Sequence, residues 1–177
     1  DVRAGDALLN DVYTAVCTAK STTGANALNT MLLVTFDEAG GCYDHVAPRA
    51  ARTPSNPQLS GEMDFLFDRL GVRVPTIAIS AYTKANTIVS NEMHHAALIR
   101  TLCKKYSLPI LTNRDIDARD LRDAINLTAA RPPSTWPIPA TDVLPGEAAL
   151  GNTASAEFAA QPLEDLDRNI YALAMTH

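Results

Sequence analysis

The sequence predicts an α/β fold in which a sheet lies between helices. Two apolar runs of strand character, residues 30–36 and 72–80, alternate along the chain with segments whose apolar residues recur at helical spacing. The first run shows no alternation of apolar and polar residues, which is typical of a strand covered on both faces. With 177 residues, of which 46% are hydrophobic, the chain is long enough to form one domain with a sizeable core.

Local patterns place each element in turn. Helical spacing of apolar residues predicts a helix over about residues 5–19, ahead of the first strand. Residues 46–61 are rich in proline, serine, asparagine and arginine, and predict a long surface loop after that strand. Pro75 places the second strand at a sheet edge or marks its start, because proline cannot donate to a strand ladder. A short third strand is predicted at 86–89, and the clearest helix at 93–106.

The last part of the chain differs in composition. A short charged helix is predicted to run through Ile125. Proline-rich residues 129–155 predict an extended strap, in which Trp136 packs onto the body of the protein. Helical spacing returns at 162–174. We therefore expect residues 1–127 to form the main body, and residues 128–177 to form a strap and a terminal helix packed on the same domain.

Charge, hydropathy and cysteine content exclude several classes of function. The formal net charge is −5 and no basic cluster occurs, which argues against nonspecific nucleic-acid binding. The chain has no apolar run of the roughly 20 residues that a transmembrane helix needs. The three cysteines lack metal-site spacing. Cys17 and Cys103 are predicted to be buried thiols, and Cys42 a bystander in a loop.

Residues 35–46 hold three acids and a histidine around two adjacent glycines. Asp37 and Glu38 follow the first strand, and ligands of open α/β sheets bind beyond the carboxyl ends of strands. Adjacent carboxylates repel each other unless a cation neutralises them, and a hard divalent ion does so through oxygen ligands. The glycines let the chain reverse and bring Asp44 and His45 back towards the strand end. The same spacing also fits a solvated acidic turn in which His45 is an ordinary loop histidine.

The segment 37–46 resembles the Asp-Glu-His-Gly-Gly-x-Tyr-Asp-His-Val signature of the phosphoesterase family, which contains bacterial and plant non-specific phospholipases C and a group of bacterial acid phosphatases. Residues 71–80 are similar to the family's Gly-x-Arg-Val-Pro-x-x-x-x-Ser-Pro segment. Two motifs in the same order are more specific than one. This chain departs from the pattern at Ala39, where the family usually has histidine, and at Ala81, where it has proline.

The resemblance implies metal-assisted hydrolysis of phosphate esters, either phospholipids or small phosphomonoesters, on a three-layer fold like the carboxyl-terminal part of an alkaline-phosphatase-like core. In that family the aspartate–glutamate pair binds a divalent metal ion, so Asp37 and Glu38 are carried over as metal ligands. Asp44 and His45 are predicted as catalytic residues that would orient these ligands through hydrogen bonds. His95 matches a histidine of the family's His-Thr-Ser-x-x-Arg-x-x-Glu run and is carried over as catalytic. Capping or packing at a helix start is the alternative role for His95.

Several segments of the family have no counterpart in this chain. They are the Glu-Asn-Arg-Ser-Phe-Asp segment, the hydroxyl nucleophile and the histidines that bind the phosphoryl group. The sequence therefore predicts the carboxyl-terminal part of a phosphoesterase catalytic domain over residues 1–127. One alternative is a catalytically incomplete fragment that serves as a binding or structural unit, or that needs its missing amino-terminal part. Another is an unrelated α/β binder of small molecules. Secretion or a periplasmic location is indicated by the resemblance alone.

Overall fold

Three α-helices and a two-stranded sheet make up the regular structure of residues 2–55 and 59–139, the part of the chain that the computed structural model describes. By its contacts, the chain divides into a unit of Tyr13–Trp136 and a unit of Asp1–Val12 with Pro137–His177. The sheet, the core and the acidic loop all lie in the Tyr13–Trp136 unit. The elements in chain order are helix α1 (Val2–Thr18), strands β1 (Met31–Thr35) and β2 (Thr76–Ser80), and helices α2 (Ala96–Tyr106) and α3 (Asn113–Asp117).

The two strands pair with each other in antiparallel orientation. Met31 lies opposite Ser80, and Thr35 lies opposite Thr76. Both predicted strands are therefore present in one sheet, although the second begins at Thr76, directly after Pro75, rather than at residue 72. The direction of pairing has a consequence for the site, because the carboxyl end of β1 lies beside the amino end of β2.

Two predictions about the sheet are wrong. The first strand is not covered on both faces: Met31–Val34 are half-buried and Thr35 is exposed. On β2, Ile77 is 56% exposed, so the described residues do not supply a full second layer over this ribbon. The third strand predicted at 86–89 is absent from the described residues, because Asn86 takes a left-handed turn conformation with φ 55° and the chain after it is irregular.

The fold class is confirmed at a coarse level. The described residues form a small mixed α/β domain, and both predicted long helices are present, although α2 begins at Ala96 rather than at residue 93. The predicted charged helix is present as α3, followed by a 3₁₀ turn at Leu121–Ala124. The three-layer arrangement and the likeness to an alkaline-phosphatase-like core stay predictions. The predicted boundary after residue 127 also stays a prediction, and the terminal helix lies outside the described residues. None of the described helices is long and apolar enough to cross a membrane.

The core of the Tyr13–Trp136 unit forms around Tyr13, Ala81 and Trp136, with Leu32 and Ile79 of the strands packed against them. The ring centroids of Tyr13 and Trp136 are 6.5 Å apart, and Trp136 is only 5% exposed. Burial raises the pKa of Tyr13 to about 12, so its ring stays neutral in the core. The prediction that Trp136 packs onto the body is confirmed.

The cysteines follow the predictions in part. Cys103 is buried in α2, Cys17 is half-buried beside the core, and Cys42 is exposed. Near Cys103, the end of α2 is tied to the following segment by Asp120, whose carboxylate accepts hydrogen bonds from Lys104 Nζ at 2.6 Å and Arg122 Nε at 2.9 Å. Lys104 is thus paired with Asp120 across elements, whereas Arg122 is paired with it locally, two positions along the chain.

We expect Trp136→Ala to lower the free energy of unfolding by roughly 3–5 kcal/mol, because the substitution leaves a cavity beside Tyr13 and Ala81. Urea denaturation measures this change. Ile88→Ala, which truncates a side chain that is 89% exposed, is the control and should stay within about 0.5 kcal/mol of the parent. Equal stability of the two variants would show that the indole does not hold the core.

Candidate functional site

The acidic loop, residues 36–46, begins where β1 ends and carries Asp37 and Glu38 on its exposed surface. Asp37 Oδ1 accepts a hydrogen bond from the backbone N–H of Glu38 at 3.0 Å. Glu38 Oε2 accepts one from the backbone N–H of Gly40 at 2.5 Å. Each carboxylate is thus oriented by an amide of its own loop while the side chain stays accessible to solvent.

The loop reverses at the glycine pair, as predicted. Gly40 and Gly41 have φ angles of 61° and 76°, in the left-handed region that favours glycine. The backbone N–H of Cys42 donates to the carbonyl oxygen of Ala39 at 3.0 Å and closes the turn. Tyr43, which follows, is 93% exposed. The reversal returns the chain to the sheet at Asp44.

Asp44 is bound by Arg73, which lies in the segment leading into β2. Arg73 Nε donates to Asp44 Oδ2 at 2.7 Å, and Arg73 Nη2 donates to Asp44 Oδ1 at 2.9 Å. The backbone N–H of Val46 adds a third hydrogen bond to Asp44 Oδ1 at 3.1 Å. The Asp44 side chain is only 10% exposed. The hydrogen bonds from Arg73, and then the one from Val46, hold the pKa of Asp44 well below its usual range.

Sequence reasoning missed Arg73 as a partner of the site. The residue lies within the Gly-x-Arg-Val-Pro likeness, so a signal was present, but nothing in the sequence paired it with Asp44. The pair joins two motifs that are distant along the chain. The ion pair forms because antiparallel pairing of the strands brings both motifs to the same end of the sheet.

The histidines occupy different positions around the loop. His95 Nε2 lies 2.9 Å from the carbonyl oxygen of Phe36, at the start of the loop. The His45 side chain is 82% exposed, with Nδ1 3.6 Å from Asp44 Oδ1. His94 is half-buried, and burial, followed by the nearby charge of Arg114, lowers its pKa. His95 therefore contacts the start of the loop, and Arg73 contacts Asp44 near its end, whereas His45 faces solvent.

The donor set for a metal ion is partial. Asp37 and Glu38 supply adjacent, exposed carboxylate oxygens, which are the donors that hard divalent cations prefer. Within residues 2–55 and 59–139, however, no group of three or more histidine, cysteine, aspartate or glutamate side chains is arranged to hold a metal ion. The two carboxylates fit a cation only as part of a larger ligand set.

Two cavities lie away from the acidic loop. One of about 340 Å³ is lined by charged side chains at the end of α2 and in the segment after α3, among them Lys104, Arg119 and Asp123. The other, of about 230 Å³, is lined by Met31 and Ser80 at the opposite end of the ribbon, together with residues of the helical side. No residue of the acidic loop lines either cavity, so the candidate site is an exposed loop surface.

Comparison with known proteins identifies relatives of the chain. A family model described as Phosphoesterase family matches residues 1–109. Non-specific phospholipase C6 of Arabidopsis thaliana is 36% identical over 144 residues, which cover 74% of this chain and 27% of the relative. Non-specific phospholipase C3 of the same plant is 33% identical over 142 residues, covering 74% and 26%. Phospholipase C A of Mycobacterium tuberculosis is 29% identical over 126 residues, covering 61% and 23%. The chain spans about a quarter of the length of these relatives.

The ion pair predicts how Asp44 titrates. Because Arg73 stabilises the charged carboxylate, the folded pKa lies below the unfolded value of about 3.9. The stabilisation is therefore fully present above pH 4 and is lost as the pH falls through the folded pKa. We expect the ¹³C signal of the Asp44 carboxyl group to stay in its charged form at pH 3, and the midpoint to rise towards 3.9 in Arg73→Ala. A midpoint near 3.9 in the parent protein would contradict the ion pair.

Proposed function

The chain belongs to the Phosphoesterase family, and from this premise we propose that it takes part in the metal-assisted hydrolysis of phosphate esters. Its contribution is the metal-ligand pair Asp37 and Glu38. The observation that carries the proposal is the placement of this pair in a loop that is anchored at both ends, by His95 at Phe36 and by Arg73 at Asp44. Relatives whose names describe them as phospholipases C favour a phospholipid over a small phosphomonoester.

Asp37 and Glu38 would hold a divalent cation through their carboxylate oxygens. When bound, such an ion neutralises negative charge that develops on the phosphoryl oxygens. The exposed position of both carboxylates leaves room for a substrate phosphate on the solvent side. No other group of the acidic loop carries hard anionic oxygens at the surface, because Asp44 is engaged by Arg73.

The three residues predicted as catalytic differ in what they can contribute. Asp44 and His95 are bound to Arg73 and to the Phe36 carbonyl, so we assign them a role in holding the loop. His45 is largely exposed, and its imidazole is the group among the three that can reach a substrate. A histidine in this position can move a proton to or from an ester oxygen.

The exposed apolar face of the ribbon supports the finer fold proposal. A two-stranded ribbon is marginally stable by itself, and Ile77 on β2 is 56% exposed. We infer that further elements of the family cover this ribbon and complete a three-layer, alkaline-phosphatase-like core. The same elements would supply the remaining metal ligands.

A second candidate function is a catalytically incomplete unit that binds or supports its amino-terminal part. The partial ligand set in the described residues favours it, as does the lack of any hydroxyl group in a recognisable nucleophile motif. The two candidates differ in whether the 177 residues turn over substrate by themselves.

We expect the 177-residue chain to hydrolyse p-nitrophenyl phosphorylcholine at close to the background rate, and a form extended by the coding sequence upstream of Asp1 to hydrolyse it with a divalent cation. In the extended form, Asp37→Asn/Glu38→Gln should lower turnover by more than the roughly 10–100-fold typical of outer ligand partners. Asp6→Asn/Asp11→Asn makes the same change in charge on the exposed surface of α1 and should retain activity.

Two results would revise the proposal. Full turnover by the extended Asp37→Asn/Glu38→Gln form would reject the ligand assignment. Strong turnover by the 177-residue chain, abolished by Asp37→Asn, would show that the catalytic set is complete within these residues and would reject the incomplete-unit alternative.

A further inference from the structure

The side chain of Arg73 binds the acidic loop where the loop returns to the sheet. Arg73 makes a two-point contact with Asp44, and Asp44 is 10% exposed although most of the loop faces solvent. We propose that Arg73 is a positioning residue that holds the acidic loop so that Asp37 and Glu38 face one cation together. This inference rests on the proposed function, because it assigns Arg73 a task at the same site.

The hydrogen bonds inside the loop cannot by themselves place it relative to the sheet. Glu38 with Gly40, and Cys42 with Ala39, join residues two or three positions apart and shape only the local turn. The glycine pair between the acidic residues and Asp44 adds freedom, since glycine has the widest range of backbone conformations. The direction of the acidic pair therefore depends on contacts from outside the loop.

Two side chains from outside the loop make such contacts. His95 bonds to the Phe36 carbonyl and fixes the start, next to Asp37. Arg73 bonds to Asp44 and fixes the end. With Phe36 and Asp44 both held, the segment between them spans a fixed distance, and the acidic pair lies within this segment.

Without Arg73, the next contacts that hold the chain lie at Pro48 and Arg49, whose carbonyl oxygens accept hydrogen bonds from Arg69 Nη1 at 2.9 Å and from the Leu70 N–H at 2.8 Å. The segment between the two held ends would then be longer and less constrained.

Arg73 suits this task because its own position is fixed by the sheet. The residue lies shortly before β2, where Thr76 is opposite Thr35 of β1. The Thr35 hydroxyl donates to the Pro75 carbonyl at 3.1 Å and lies 2.8 Å from the Thr76 hydroxyl, so the backbone next to Arg73 is tied to the end of β1. A planar guanidinium then fixes both the distance and the orientation of the carboxylate.

The chemistry of the pair distinguishes arginine from lysine. Lysine keeps the positive charge but offers a point charge on a flexible stem, without the two parallel donors. If charge alone mattered, Arg73→Lys would preserve the loop. If the two-point geometry positions the loop, Arg73→Lys should fall between the parent protein and Arg73→Ala.

The test combines hydrogen–deuterium exchange of the loop amides on the 177-residue chain with Mn²⁺ binding followed by electron paramagnetic resonance on the form extended by the coding sequence upstream of Asp1, in which the remaining metal ligands are expected. In Arg73→Ala we expect exchange within the acidic loop to quicken. We expect Mn²⁺ affinity to fall by about 10-fold or more, as for other residues that orient metal ligands. Arg119→Ala removes an exposed arginine paired with Asp123 at 3.4 Å and should leave both readouts unchanged. Thermal unfolding of all variants is measured in parallel.

Loop exchange at the parent rate in Arg73→Ala would overturn the proposal. Faster exchange spread evenly over the whole chain, together with a lowered unfolding midpoint, would also overturn it, because that result marks a merely structural role. Parent-like Mn²⁺ affinity in Arg73→Ala would also overturn it, provided that Asp37→Asn/Glu38→Gln lowers the affinity. If that double variant binds Mn²⁺ like the parent, the proposed ligand pair fails instead, and loop exchange decides by itself whether Arg73 anchors the loop.

Discussion

The antiparallel pairing of β1 with β2 is the constraint on which the candidate site depends. Thr35 lies opposite Thr76, so the acidic loop that leaves β1 and the segment that enters β2 meet at the same end of the two-stranded sheet. The ion pair between Arg73 and Asp44 forms at that end. A parallel arrangement would place the two segments at opposite ends of the ribbon, and the loop would lose its second anchor.

Local sequence patterns were sufficient for the two strands, for the long helices and for the position of the acidic pair, but not for the third strand predicted at 86–89. Apolar runs identified both strands, and the glycine pair identified the reversal that brings Asp44 back to the sheet. The degree of burial was not predictable in the same way, because it depends on layers contributed by distant parts of a chain. Residues 30–36 have the composition of a covered strand, yet Met31–Val34 are only half-buried among the described residues.

Contacts between residues that are far apart along the chain could not be predicted from the sequence either. The pairing of Arg73 with Asp44 and of His95 with the Phe36 carbonyl links residues that are far apart along the chain. Their residue types were visible, but their contacts follow from strand direction and from the position where α2 begins. These contacts change the interpretation of two predicted catalytic residues, Asp44 and His95, which we assign to holding the loop. His45, whose ring is exposed, remains our candidate for proton transfer.

The central proposal, that Asp37 and Glu38 bind a divalent cation together, is tested most directly by anomalous X-ray diffraction from crystals of the form extended by the coding sequence upstream of Asp1, grown with Mn²⁺. We predict an anomalous peak between the two carboxylates, within the roughly 2–2.6 Å at which hard cations bind oxygen ligands. The peak should be absent from crystals of Asp37→Asn/Glu38→Gln. Well-ordered Mn²⁺ peaks at other carboxylates, with none at Asp37 and Glu38, would contradict the proposal.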